Sequence, residues 1–168
     1  MKMTFRIVLE GPVLRDEVLF VDPAEDLEEF DSVIMYSCEL LSETDCRLLV
    51  GGFGQDVWPV SIDYDLSTIL EQLPTLIADL RAGQLTELDF YAQGVQRILD
   101  FIPDGEMLRI RCRSGTSWTP EPEFEVAAKE DIVSMLTRLA SDFASILQRV
   151  APSIGTLMPF PQWAAGRL

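Results

Sequence analysis

Apolar and polar side chains alternate from the first residues: Met3, Phe5, Ile7 and Leu9 interleave with Thr4, Arg6, Val8 and Glu10, which predicts a half-buried β-strand. Ile34, Tyr36, Cys38 and Leu40 show the same parity and predict a second strand. The stretch Arg47 to Phe53, after the polar turn Ser42-Glu43-Thr44-Asp45, predicts a third. Together they read as an antiparallel meander. The period then changes. Leu66, Ile69, Leu70, Leu73, Ile77 and Leu80 recur at helical spacing over residues 66–82, with Asp65 placed to cap the start, Gly83 to end it, and Pro74 to kink or divide it.

Strands return between Glu87 and Arg113, punctuated by Gln93-Gly94 and Asp104-Gly105. A two-residue loop at Asp104-Gly105 would set Asp100 opposite Arg109, Leu99 opposite Ile110 and Phe101 opposite Leu108. Those are matched charge and apolar pairs. A long amphipathic helix near 128–150 carries Ile132, Met135, Leu136, Leu139, Phe143, Ile146, Leu147 and Val150 on one stripe, and Pro152 stops it. The proline-bearing tail 151–168 is expected to be irregular and to wrap the domain or serve as a docking segment. Grouped strands with separated helices predict one α+β domain over 1–168, with antiparallel sheet and helices packed on one face.

Charge changes this picture more than composition does. The apolar fraction of 48% suits an ordinary core, yet 28 Asp and Glu stand against 13 Lys and Arg, a net charge of -15. Residues 1–65 hold 15 acids and 4 bases, net -11, while 66–168 hold 13 acids and 9 bases, net -4. Residues 16–31 contain eight acids and no base, around an apolar insert Val18 to Val21 and a turn at Asp22-Pro23. Such a field repels phosphates and acidic headgroups, so nucleic acid and membrane surfaces are not expected partners. No apolar run approaches the roughly 18 residues that span a bilayer, and the apolar stretch after Arg6 is too short for a signal segment. The expected location is cytoplasmic.

Histidine is absent, which removes every Ser-His or Cys-His nucleophile arrangement and the commonest nitrogen ligand of zinc. Cys38, Cys46 and Cys112 lack paired spacings and read as reduced thiols, with Cys38 and Cys112 facing the core from strands. Gly51-Gly52-Phe53-Gly54 precedes no helix and no lysine, so it is a strand end and turn, not a phosphate cradle. Asp63, Asp65 and Ser67 imitate the start of a calcium loop, but Thr68 and Pro74 stand where glycine and a bidentate glutamate are needed. With 28 acids, a chance carboxylate pair carries no glycosidase signal. Neither an enzyme nor a cofactor or metal site is expected.

Three features remain as binding candidates. Asp22, Glu25, Asp26, Glu28, Glu29 and Asp31 form an acidic run that can steer a basic partner. Arg109, Arg111 and Arg113 share one face of a strand and could hold an anion or a partner's carboxylates, or be a solvated face with Arg109 paired to Asp100. Trp118, in the loop Ser114 to Pro120 ahead of Glu121, Glu123 and Glu125, either anchors an interface or folds back as a lid. Trp58 beside Pro59 reads as core.

An acidic α+β plan with the run Asp22 to Asp31, the hairpin Val95 to Arg113 and the closing helix Ala128 to Val150 resembles the immunity proteins that bacteria keep against their own secreted or contact-delivered toxins. The resemblance implies a tight one-to-one complex with a cognate toxin, inhibited by occlusion or by mimicry of its substrate. Two alternatives stand beside it: a small-ligand or regulatory domain using the arginine-bearing strand, and an assembly subunit that forms a homodimer through a sheet edge.

Overall fold

A computed structural model of the chain describes residues 3–11 and 29–168. The expected insert and turn at 18–23 lie outside them. The first strand, β1 (Arg6–Glu10), buries Ile7 and Leu9 on one face, with Phe5 just ahead of it, as the alternation requires. It pairs antiparallel with β2 (Arg47–Gly51), Val8 opposite Leu49.

The segment between them is a helix, α1 (Phe30–Ser42), and not the expected second strand. Its buried residues, Val33, Ile34, Ser37, Cys38 and Leu41, follow the three-and-four spacing of a helix face. The apparent alternation arose because apolar residues also occupy its flanks. At 13 residues the element is long for a strand. The expected three-stranded meander at the N-terminal end is therefore replaced by a two-stranded ribbon, and Cys38 is buried on a helix while Cys112 is buried on a strand.

Beyond β2 the chain turns back at Gly52 to Gln55, which exchange backbone hydrogen bonds of 2.9 and 3.1 Å. Gly52 holds φ at +130°, and a Cβ there would sit 2.6 Å from the Cα of Phe5, so the glycine is what lets the turn lie against β1. A π-helical turn (Ile62–Leu66) leads into α2 (Ser67–Arg81), which runs through Pro74 undivided and ends at Gly83 with φ +70°. Asp65 does not cap α2. It lies inside the π-turn and accepts from the Ser61 N–H at 2.7 Å.

The main sheet orders β3 (Thr86–Phe90), β4 (Arg97–Asp104), β5 (Met107–Ser114) and β6 (Phe124–Ala128), all antiparallel. The β4–β5 reversal falls at Gly105-Glu106, one residue later than expected, and Asp104 pairs with Met107. Gly105, with φ +62°, takes the first loop position of a tight hairpin, where glycine is favoured. Asp100 therefore faces Arg111, Leu99 faces Cys112 and Phe101 faces Ile110. The two-residue shift preserves parity, so the same side chains still point inward.

Helix α3 (Lys129–Val150) follows β6 and contacts α2, β1 and β6. The tail is ordered, not irregular. Two short helices, α4 (Pro152–Gly155) and α5 (Phe160–Ala164), pack on α3 and bury Ile154, Phe160 and Trp163. The Trp163 ring meets Phe30 and Phe160 edge-on, each at 5.9 Å. Buried apolar residues of both sheets and the long helices form one continuous cluster.

Candidate functional site

The arginine-bearing strand resolves first. Arg109, Arg111 and Arg113 alternate with buried Leu108, Ile110 and Cys112, and so share the outer face of the sheet. Arg113 meets Asp100 at 2.7 Å and Glu87 at 3.3 Å, which offsets the like charges that the β3–β4 register sets directly opposite each other. Arg111 pairs with Glu123 at 2.7 Å, and Arg109 lies over the Phe124 ring at 4.6 Å. Asp100 thus pairs with Arg113, not with Arg109. An incoming anion would have to compete with these carboxylates.

Trp118 folds back onto the domain. Its ring centroid is 6.1 Å from that of the fully buried Trp58, and the guanidinium of Arg97 stacks against both, 3.6 Å from Trp118 and 4.4 Å from Trp58. Arg97 is buried, and its Nε and Nη1 have no hydrogen-bond partner among the described residues. The two indole faces stabilise the charge, and burial lowers its pKa. Sequence reasoning passed over Arg97. Its parity with Leu99 and Phe101 was the available signal.

A second buried charge joins the sheets. Glu125 of β6 projects inward and accepts hydrogen bonds from Thr4 N (3.1 Å), Phe5 N (2.7 Å), Phe53 N (3.2 Å) and the Thr4 hydroxyl. It fastens the β1–β2 ribbon and its glycine turn to the main sheet. Glu125 and Arg97 serve the fold, and with Glu123 paired outward the acids after Trp118 do not form a common surface.

A recess lies elsewhere, where α1, the π-turn, the start of α2 and the β3–β4 connection meet. It encloses about 660 Å³ and is lined by Met35, Tyr64, Asp65, Glu71, Tyr91 and Val95, among others. Met35, Tyr64 and Tyr91 are 48%, 68% and 56% exposed, so three of the eight large apolar side chains exposed among the described residues gather at one mouth. Gln72 fixes one wall: its carboxamide exchanges two 2.9 Å hydrogen bonds with the backbone of Asp89 on the edge strand β3 and so holds α2 against the strand that leads to Tyr91.

Acids line this recess, with no cation beside them among the described residues. The Tyr91 hydroxyl donates to Glu71 Oε1, and this bond, with the charges of Glu71 and Asp31, raises the Tyr91 pKa. Asp65 is 3% exposed; Oδ2 accepts from the Ser61 N–H and hydroxyl, while Oδ1 has no partner among the described residues. Burial raises its pKa, against the Ser61 hydrogen bonds, and the charge of Asp63 adds to the rise. Among the described residues neither Lys nor Arg lines the recess. Compared with known proteins, the chain matches no family model, no curated protein and no solved structure.

Of the acidic run, Glu29 and Asp31 are described and exposed, at the start of α1. Asp22, Glu25, Asp26 and Glu28 lie outside the described residues. The charge of Asp31 contributes to the raised pKa of Tyr91, so the described end of the run lies within electrostatic reach of the recess. Asp63 and Asp65 belong to the same region, and among the described residues no three His, Cys, Asp or Glu converge as metal ligands. Nor, among those residues, is any helix long and apolar enough to cross a membrane.

Proposed function

We propose that the chain is a non-enzymatic protein-binding domain of the immunity-protein kind, neutralising a cognate basic toxin through an acidic surface that occludes or mimics the toxin's substrate. The observation that carries this reading is an asymmetry in how charges are satisfied. Arg111 and Arg113 are held by the protein's own carboxylates, whereas Asp31, Asp63, Asp65 and Glu71 make no ion pair among the described residues. Unpaired acids beside exposed Tyr and Met side chains offer a basic protein both electrostatic steering and an apolar anchor.

The test is co-expression with the product of the gene encoded beside this one. The reading predicts a one-to-one complex on size exclusion that weakens as salt is raised, and rescue of growth when that product is toxic. A complex that does not form, or growth that is not rescued, overturns it.

A further inference from the structure

The recess contains a feature that a solubilising acidic surface does not need. Asp65 is almost wholly buried, yet one of its oxygens has no partner among the described residues, and it lines a cavity open to exposed aromatic side chains. Leaving a buried carboxylate oxygen unpaired costs free energy that a donor arriving from outside would recover. We infer that this recess is a receptor for one arginine side chain of the partner protein, with the guanidinium donating to Asp65 Oδ1 and Glu71 and its stem lying along Met35, Tyr64 and Tyr91. The inference rests on the toxin-binding reading for the source of that arginine.

The chemistry of the walls selects the occupant. A metal ion is disfavoured by the sparse donor set, since no three ligating groups converge among the described residues. An anion is disfavoured by Asp65 and Glu71, by the nearby charge of Asp31, and by the lack of a basic lining residue among the described residues. An organic cation fits both the carboxylates and the apolar rim. Guanidinium fits better than ammonium, because it is planar, weakly hydrated, stacks on tyrosine faces and spans two acceptors at once. Glu71 has Oε1 engaged by Tyr91, which leaves Oε2 for such a donor. A volume of about 660 Å³ lies within the range of built ligand sites and admits an arginine with its flanking backbone.

The experiment uses the full chain labelled with ¹⁵N and the peptide acetyl-Gly-Arg-Gly-amide, with lysine and citrulline versions as controls. Citrulline keeps the shape of arginine and removes its charge. Saturable shifts are expected at Tyr64, Asp65, Glu71 and Tyr91, with the arginine peptide binding at least about tenfold more tightly than the citrulline peptide, the value of one charge-assisted hydrogen bond. The lysine peptide should fall between them. Asp65→Asn should weaken arginine binding by about tenfold or more. Because Asp65 also holds Ser61, Glu71→Gln and the rim variant Tyr64→Ala repeat the test at more exposed positions, where folding is spared.

Equal binding of the arginine and citrulline peptides, or no saturable shift at these residues, overturns the inference. So does a protein complex that forms equally well with wild type and with folded Glu71→Gln and Tyr64→Ala, a result that leaves the acidic-surface reading standing. Peptide binding with no toxin complex would do the reverse: the receptor would stand and its assigned source would fall.

Discussion

Glu125→Gln is the sharpest perturbation of the fold, because it changes one atom and strands a buried backbone donor. The carboxylate takes Thr4 N and Phe5 N on Oε2, and Phe53 N and the Thr4 hydroxyl on Oε1. A carboxamide can keep its oxygen on only one side. With oxygen toward Thr4 and Phe5, the amide nitrogen confronts Phe53 N, a buried donor that then lacks an acceptor, while the Thr4 hydroxyl can rotate to accept. An orphaned buried donor costs about 1–3 kcal/mol, and the remaining bonds lose their charge assistance, about 1 kcal/mol more. The expected loss is therefore about 2–4 kcal/mol. In a chain of this length that is a fall of roughly 5–15 °C in Tm.

Urea melts followed by tryptophan fluorescence measure it. The exposed Glu123→Gln, which loses only the surface pair with Arg111, serves as control at about 0–1 kcal/mol. A Glu125→Gln protein within about 0.5 kcal/mol of wild type, in the range of an ordinary surface change, would refute the claim that this carboxylate fastens the two sheets.

Arg97→Met should hold or raise the urea midpoint, because it replaces a buried guanidinium lacking partners at two nitrogens with an apolar side chain that still separates Trp58 from Trp118; a loss above about 3 kcal/mol, the cost of breaking a true buried pair, would contradict it. Asp65 has a folded pKa above its ordinary value of about 3.9, so its contribution to stability is fully present below that value and is lost as pH rises through the raised one. Urea melts at pH 4 and pH 7 should therefore show wild type gaining on Asp65→Asn as pH falls, and a gap that stays constant or moves the other way rejects this. Burial pushes the Cys112 thiol up to about 12 and raises those of Cys38 and Cys46 as well. Thiol-reagent labelling at pH 7 should be slower at Cys112 than at an unfolded cysteine by about 10³-fold, with all three labelled once urea unfolds the chain; fast native labelling of Cys112 would contradict its place in the core.

The α+β plan was legible because its longest signals were clean. The stripe Ile132 to Val150 and the run Leu66 to Leu80 have helical spacing over several turns, and Phe5, Ile7 and Leu9 alternate as a strand with one face buried. Phe30 to Ser42 misled because Tyr36 and Leu40 flank its buried face, so period two and period 3.6 both fit a short window. The short strand Phe124–Ala128 went unread, since inward Glu125 breaks the apolar parity that would reveal it. The tail helices were hidden by their length, four and five residues, which is too short for a period.

At the candidate site the sequence indicated the kind of charge and not its place. Asp31 came from the acidic run and Asp65 from a failed calcium loop, yet Tyr64, Glu71 and Tyr91 attracted no notice. Their relation depends on α2 being held to β3 by Gln72, a contact between residues 17 apart that no local pattern encodes.

The central claim is that unpaired acids around the recess engage a basic protein, and calorimetric titration of the neighbouring gene product at 50 and 300 mM salt tests it most directly. Wild type should lose affinity steeply with salt, and the triple reversal Glu29→Lys, Asp31→Lys, Glu71→Lys should lose about 10²-fold or more at low salt, with association slowed most. Affinity indifferent both to salt and to the reversal would contradict the account.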